Sequence, residues 1–317
     1  GRDLKLSEDR VKGYRNFLNK LWNANNFLIQ NKCNFKKIIN KPKIKININK
    51  WIYSELIETK NIVKKNIKDY RFDEAAKNAY QFVWHSYCDW YLELSKTILS
   101  SNDKNMIKEV RVVASFIYKE ILKLMHPFIP FVTEEIWLKN KLDNSGKNYL
   151  MLCNWLEGKI NKDNDFKEVE KIINIISTIR SFKNELNIKP GSFIDISFEK
   201  IDKKNKFFFK KNETILKKLG RINNFFDIKS SKPAASLVID GDIFKIYFEE
   251  NVDLKVIKEN MINKQRKYEN EMDKIQSRLN NVNFVDRAPK YIVDQEKTNY
   301  NNLKNDIKKI LLTIKNL

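Results

Sequence analysis

The sequence predicts a mainly α-helical protein with one small α+β section, and three observations support this fold class. Residues 1–156 contain long runs in which apolar side chains recur every three or four positions, as on one face of a helix. Residues 157–250 mix such runs with short β-rich stretches. Residues 251–317 contain two long helical stripes separated by a proline-containing break. We therefore expect a helical bundle, a small α+β subdomain and a C-terminal antiparallel coiled-coil hairpin.

The first section, 1–156, is expected to form a bundle of antiparallel helices. The helices are predicted at roughly 8–30, 49–69, 72–99, 103–125 and 130–141. Ser7, Asn49 and Asp73 are plausible N-caps, because their side chains can accept hydrogen bonds from free backbone amides. Pro127 and Pro130 separate the last two helices, since proline lacks the amide proton that a helix interior needs.

The first helix has an apolar and a polar face. Its apolar face is predicted to be buried and comprises Val11, Tyr14, Leu18, Leu21 and Trp22. Its polar face comprises Arg10, Lys12, Arg15, Asn16, Asn19, Lys20 and Asn23. Cationic and amide side chains of this kind can bind phosphate oxygens and base edges.

The second section, 157–250, is predicted to be a small α+β unit. A helix near 166–187 precedes a strand near 193–198, and a second helix near 203–219 ends at Gly220. Two strands, 235–239 and 243–248, meet at an Asp-Gly pair, which is a strong hairpin signal.

The third section, 251–317, is predicted to be a helical hairpin. Its apolar positions mostly step by three or four on both sides of a break at Asn283–Pro289. A short turn between two such stripes favours an antiparallel pair over a parallel dimeric coiled coil. We therefore expect a monomer.

Composition limits the classes of protein and partner. Sixty-one Lys and Arg against 40 Asp and Glu give a net charge of +21, which indicates an anionic partner such as nucleic acid. The alternative is a genome-wide bias towards Lys, Asn and Ile. Three widely spaced cysteines suit a reducing cytoplasm, and no apolar run is long enough to span a membrane. The expected location is therefore cytoplasmic, with no membrane partner.

Several segments together resemble the bacterial valyl-tRNA synthetase family. The residues 1–26 resemble the start of its anticodon-binding domain, and Arg71–Lys96 and Met125–Trp137 resemble later helices of that domain. Ile179–Gly191 resembles the segment that follows, and Asn281–Lys297 resembles the tip of the family's coiled-coil arm. The match covers nearly the whole chain in the family's order.

The resemblance implies that the bundle contacts the anticodon loop of a valine tRNA and that the arm contacts the tRNA elbow. The candidates for the anticodon loop are Arg2, Lys5, Arg10, Arg15, Asn16, Phe17, Lys20 and Asn23. The candidates for the elbow are Lys264, Arg266, Lys267, Lys274, Arg278, Arg287 and Lys290. From the residues alone, a solvated helix face and a solubilising coiled-coil surface are the alternatives. Phe17 could stack on a base, or pack in the core against Leu21.

Neither signature of class I synthetases is present. The two histidines, His85 and His126, are not in a His-x-Gly-His motif, and no Lys-Met-Ser-Lys-Ser run occurs. The chain by itself should therefore not activate an amino acid, and we expect no catalytic residue, cofactor or metal within it. The resemblance implies that ATP and Mg belong to the catalytic domain of the same polypeptide, a further partner of this region.

Two other functions remain open from the sequence. The equivalent part of an isoleucyl-tRNA synthetase shares the helical motifs, although it is disfavoured by the lack of a four-cysteine zinc site. A coiled-coil scaffold for protein binding is the alternative from another class. The basic run 199–211, with three phenylalanines, suits either RNA backbone binding or an amphipathic helix that buries Phe207 and Phe208.

Overall fold

The structure is a computed structural model, and it divides into two compact units, 1–173 and 174–317. It describes residues 7–33, 42–142, 149–186, 188–200, 202–225, 234–239, 242–248, 254–281, 284 and 289–316. Among these residues, no helix is long and apolar enough to cross a membrane. The three-part division of the chain at 156/157 and 250/251 stays a prediction.

The first unit is helical, as the sequence predicts. Its helices are α1 (Glu8–Gln30), α2 (Asn47–Lys68), α3 (Phe72–Gln81), a π-helix (Phe82–Tyr91), α4 (Leu92–Leu99), α5 (Lys104–Met125) and α6 (Pro130–Lys139). A 3₁₀ turn at Leu150–Leu152 follows, and α7 (Asn164–Glu185) continues from the first unit into the second. The proline at the start of α6 ends the preceding turn and begins this helix.

Two of the predicted N-caps are wrong. Asn49 lies inside the first turn of α2, where its side chain is buried and bonds to Glu109 and to the hydroxyl of Tyr91. Asp73 also lies inside a first turn, because α3 begins one residue earlier. Ser7 does occupy the N-cap position, but its side chain makes no capping hydrogen bond. For Asn49, the error arises because a polar residue can bond to tertiary partners instead of helix amides.

The prediction for the buried face of α1 is wrong in its first half. Val11 and Tyr14 are 55% and 67% exposed, whereas Phe17, Leu21 and Leu28 are buried. The helix therefore packs into the unit only from Phe17 onward. The apolar spacing in the sequence begins at Val11, before the part of the helix that packs against its neighbours.

The π-helix lies in the middle of the aromatic segment between α3 and α4. Val83, Tyr87 and Tyr91 are buried, and the Tyr87 ring lies 5.6 Å from Tyr91 and 6.1 Å from Tyr118. Tyr87 and Tyr91 therefore pack in the core of the unit. The wider π turn is a departure that the sequence does not indicate.

A buried ion pair joins α2 to α5. Lys60 and Glu120, with side chains 0% and 4% exposed, approach to 2.5 Å, and the Nζ of Lys123 lies 2.7 Å from the same carboxylate. The Trp155 ring lies 4.4 Å from the Lys60 ammonium. Burial lowers the pKa of Lys60, and the Glu120 carboxylate offsets part of that effect. The residues 154–163 thus help to cover this charge.

The second unit contains a four-stranded mixed sheet with the order β2-β1-β4-β3. Its strands are β1 (Ile194–Lys200), β2 (Ile222–Phe225), β3 (Ala234–Ile239) and β4 (Asp242–Phe248). β1 pairs with β2 in parallel and with β4 in an antiparallel ladder, and β3 and β4 form the expected hairpin. The predicted turn residues Asp240-Gly241 lie outside the described residues. Strand β2 is not predicted, because its four residues are too few for a clear pattern.

Two short helices, α8 (Lys203–Lys211) and α9 (Glu213–Gly220), replace the single helix expected near 203–219. Phe209 is the buried aromatic residue of α8, whereas Phe207 is 71% exposed. Of the two alternatives for this run, the one that buries Phe207 is therefore wrong for that residue, and Phe208 is half-buried. The Phe209 ring packs 5.5 Å from Phe244 and 4.7 Å from Phe198 of the sheet.

The predicted hairpin is present as two contacting helices, α10 (Leu254–Asn280) and α11 (Lys290–Asn316). Met261 and Ile275 of α10 are buried, as are Val293, Ile307 and Ile310 of α11. The Tyr300 hydroxyl approaches Gln276 at 3.2 Å across the pair. The stripe of apolar residues therefore faces the partner helix, as its spacing indicates.

Candidate nucleic-acid interface

The first half of α1 is a helix with little cover from the rest of its unit. Glu8, Asp9 and residues 11–16 are all exposed, and Lys12 lies 3.6 Å from Asp9. Carboxylates in the first turn favour the helix because they oppose its dipole. This segment therefore offers its side chains to a partner in several directions.

Two of the predicted contact residues, Arg15 and Asn16, lie on this exposed segment. Asn23, about two turns after Asn16, is also exposed. Arg2 and Lys5 lie outside the described residues. Arg10 lies on the helix, but its side chain is not among those described. The structure thus places three of the eight candidates where a large polyanion has access to them.

Phe17 is not available to a base. Its side chain is 4% exposed, and its ring lies 4.7 Å from Tyr80 and 6.2 Å from Trp84. It therefore packs in the core, against these two rings of α3 and the π-helix. Tyr14, one turn earlier and 67% exposed, is the aromatic side chain of α1 that a base can reach.

Lys20 is engaged in a local network. Its ammonium pairs with Asp89 and lies 3.9 Å from the centre of the Trp84 ring. The Nδ1 of His85, whose side chain is 62% exposed, lies 3.3 Å from the other oxygen of Asp89. This network holds α1 against the π-helix, and it offsets part of the positive charge of Lys20.

The π-helix contributes Trp84, His85 and Asp89 beside α1, and sequence reasoning did not identify them as part of this surface. Their spacing in the chain suggests only a packed aromatic helix. Their position next to Lys20 depends on the packing of α1 against a segment more than sixty residues away in the chain. His126, by contrast, is structural: its Nδ1 lies 2.9 Å from the hydroxyl of Thr133.

The arm places its candidate residues in two environments. Arg266, Lys267 and Lys274 are exposed. Lys264 lies 3.4 Å from Glu185, and Arg278 lies 3.0 Å from Glu296 of the facing helix.

The remaining two arm candidates cannot be placed in the same way. Arg287 lies outside the described residues, and the side chain of Lys290, at the start of α11, is not described. The exposed cations of α10 therefore form the better-defined part of the arm surface.

The described residues contain no metal-binding cluster, and two of the three cysteines are poorly suited to thiolate chemistry. No group of three or more His, Cys, Asp or Glu side chains within the described ranges could hold a metal ion. Burial raises the pKa of Cys33 to about 11 and that of Cys88 to about 12, so both thiols stay protonated at neutral pH. Protonated thiols are poor nucleophiles.

Two family models match the chain. Residues 49–198 match the anticodon-binding domain of tRNA ligase, and residues 254–317 match the valyl tRNA synthetase tRNA binding arm. The first match runs from α2 into β1 and does not include α1, and the second corresponds to the α10–α11 hairpin.

The full chain also matches curated valine–tRNA ligases. It is 66% identical over 317 residues to the enzyme of Pelagibacter ubique (strain HTCC1062), and the match covers 100% of this chain and 36% of that protein. It is 32% identical to the enzyme of Bartonella quintana (strain Toulouse), with 100% and 35% covered, and 30% identical to that of Aquifex aeolicus (strain VF5), with 98% and 28% covered. The chain spans about a third of the length of these relatives. It therefore belongs to the valyl-tRNA synthetase family, as the C-terminal region with an anticodon-binding domain and a tRNA-binding arm.

Proposed function

We propose that this chain binds valine tRNA through two separate surfaces. The exposed first half of α1 contacts the anticodon loop, and the exposed cations of α10 contact the tRNA elbow. The observation that supports this most directly is the solvent exposure of α1 before Phe17, since the helix extends Arg15 and Asn16 away from the packed core. A purely structural helix would bury the apolar residues of this half.

On the first surface, three neighbouring side chains supply different interactions. Asn16 can form paired hydrogen bonds with a base edge, and Arg15 can bind either a guanine edge or a phosphate. Tyr14 takes the stacking role first considered for Phe17, because bases of single-stranded loops stack on exposed aromatic rings.

Lys20 acts mainly by positioning in this proposal. Its bond to Asp89 and its contact with Trp84 fix the second half of α1 against the π-helix. A cation that already has a carboxylate partner gains less from a phosphate than a free one. We therefore expect substitution of Lys20 to affect affinity less than substitution of Arg15.

The arm contributes contacts that do not depend on sequence. Arg266, Lys267 and Lys274 are exposed cations on one long helix, and cations of this kind neutralise phosphates regardless of base identity. Lys264 and Arg278 have carboxylate partners and contribute less.

In the larger protein, we propose that this region holds the tRNA while a separate catalytic domain attaches valine to it with ATP and Mg. The relatives named valine–tRNA ligase support this, because they match over the whole chain. The valyl arm model, matched over 254–317, favours the valyl over the isoleucyl enzyme. No observation specifically favours a protein scaffold.

The test compares two kinds of variant in tRNA binding at several salt concentrations. Arg15→Ala and Asn16→Ala should lower affinity mainly for tRNAs with the valine anticodon, by about 1–3 kcal/mol for a lost bidentate contact. Replacing Arg266, Lys267 and Lys274 together with Gln should lower affinity for every tRNA by a similar factor. Lys65→Ala is a control from the same unit, since it removes an exposed cation of α2 that lies outside the proposed surface.

Opposite behaviour would overturn the proposal. If the arm variant changed anticodon preference while the α1 variants did not, the arm would recognise tRNA identity. If the unmodified chain bound tRNA and duplex DNA equally, or with no salt dependence, its net charge of +21 would reflect genomic bias. With about five phosphates neutralised, we expect a slope of log K against log salt of roughly −3 to −5.

A further inference from the structure

The second unit contains an open cleft that belongs to neither proposed tRNA surface. Its volume is about 560 Å³, and all its lining residues lie within 174–317. The lining comprises Arg180, Ser181, Lys183, Asn184, Ile188, Pro190, Leu219, Gly220 and Arg221. The cleft thus lies between α7, the segment after it and the end of α9.

The cleft is strongly basic. Arg180, Lys183 and Arg221 contribute three cations, and none of the lining residues is Asp or Glu. Lys183 is only 3% exposed, and its ammonium donates to the carbonyl oxygens of Ser192 at 2.9 Å, Gly220 at 3.0 Å and Arg221 at 3.3 Å. A cation held among backbone groups in this way is fixed in place. It creates a stronger local potential than a solvated surface lysine.

Part of this charge compensates the end of α9. The Nη2 of Arg180 donates to the carbonyl oxygen of Leu219 at 3.1 Å, beside the carbonyls that Lys183 binds. The C-terminus of a helix has about half a negative charge, which both of these cations help to offset. Arg221 adds a third, from a residue with a positive φ of 55° and a guanidinium group 5.6 Å from the Phe193 ring.

We propose that this cleft binds a backbone phosphate of tRNA. It would be a third contact, formed by residues that lie between α1 and the arm in the sequence. Guanidinium groups suit phosphate because they offer several donors in one plane, and Ser181 and Asn184 add neutral donors. The apolar side chains of Ile188, Pro190 and Leu219 can accommodate the adjoining sugar. The inference rests on the proposed function, since its ligand is the same RNA.

The family models cover this site only in part. Six of its nine lining residues lie within the anticodon-binding match, which ends at 198, whereas Leu219, Gly220 and Arg221 lie outside both matches. The sequence places Arg180 and Lys183 forty residues from Arg221, and only the packing of α7 against the end of α9 brings them together.

The test measures tRNA binding by the full chain as a function of salt for Arg221→Gln and Arg180→Gln. The matched control is Lys218→Gln, which removes one exposed cation from α9 but does not line the cleft. Each cleft variant should reduce the salt slope by about 0.7–0.9, the value for one phosphate, for all tRNAs alike. The control should leave the slope nearly unchanged. Arg221→Gln makes the test robust to misfolding, because Arg221 is exposed, and circular dichroism checks both variants.

Inorganic phosphate, titrated by calorimetry, distinguishes RNA phosphate from free anion. Ethylation of one or two tRNA phosphates should interfere with binding to the unmodified chain. Loss of that interference in Arg221→Gln would support the proposal. Phosphate binding that the variants abolish, with unchanged tRNA slopes, would overturn it in favour of a free-anion site. Unchanged slopes without phosphate binding would also overturn it. If the unmodified chain bound no tRNA at all, the proposed function itself would fail, which is a separate result.

Discussion

Removing one partner of the buried Lys60–Glu120 ion pair should destabilise the first unit, whereas removing both should not. Both side chains are almost fully buried, and Glu120 has a second cation, Lys123, at 2.7 Å. A buried charge left alone costs about 3–5 kcal/mol. Replacing a buried pair with apolar residues of similar volume is often neutral or stabilising.

The groups that remain around each buried charge determine which single substitution costs more stability. Glu120→Leu removes the carboxylate from the buried Lys60 ammonium, which keeps its contact with the Trp155 ring, so we expect a loss near the upper end, about 4–5 kcal/mol. Lys60→Met leaves Glu120 with Lys123, so we expect a smaller loss, about 2–3 kcal/mol. The double variant should lie within about 1 kcal/mol of the unmodified chain, which gives a large coupling energy.

The chain offers a selective assay for this double-mutant cycle. All six tryptophans lie within 1–173, so tryptophan fluorescence during denaturant unfolding reports only the first unit. Losses that simply add in the double variant would refute the argument, because they would show that the two charges do not depend on each other. Equal losses for both single variants would refute the role assigned to Lys123.

The pH dependence has a definite sign. Burial lowers the folded-state pKa of Lys60 below its ordinary value of 10.5, so the unfolded chain holds this proton more tightly. The contribution of this group to stability is therefore present above pH 10.5 and is lost as the pH falls through the folded pKa. The stability of the unmodified chain relative to Lys60→Met should accordingly rise at alkaline pH.

The remaining predictions use the local surroundings of single residues. Gly158→Ala should destabilise the first unit by about 1–3 kcal/mol, because its Cβ would lie 2.9 Å from a buried isoleucine of α2. Gly13→Ala should instead stabilise α1 by about 0.5–1 kcal/mol, because its Cβ would meet nothing within 4 Å. Thermal melts of the two variants measure both effects. Tyr70→Asn should stabilise by about 1 kcal/mol in denaturant unfolding, since Tyr70 has a φ of 58° after α2, which asparagine tolerates better. Cys33 and Cys88 should resist a thiol reagent at pH 8 until the chain unfolds, and rapid labelling of either thiol in the folded chain would contradict this prediction. The raised pKa values of these thiols also contribute stability that is present below pH 9 and is lost as the pH rises towards 11 and 12.

Helices with strong apolar periodicity were predictable from the sequence because their burial repeats within each element. The run from 72 to 99 is helical throughout, and the α10 and α11 stripes face each other, as their spacing indicates. The π-helix at Phe82–Tyr91 was not predictable, since the spacing of apolar residues in this segment indicates a helix but does not show that its turns are wider than α-helical ones. Strand β2 forms because β1 offers it a free edge, which is a property of the sheet.

The candidate surface divides in the same way. The sequence determined that α1 has a polar face and that the chain has an excess of positive charge, because both follow from composition and spacing. Tertiary structure decided which aromatic residue is accessible: Tyr80 and Trp84 cover Phe17, while no described neighbour covers Tyr14. It also placed Asp89 beside Lys20, and Arg221 beside Arg180 and Lys183. Contacts between residues far apart in the chain depend on how whole elements pack, and one-dimensional spacing does not contain that information.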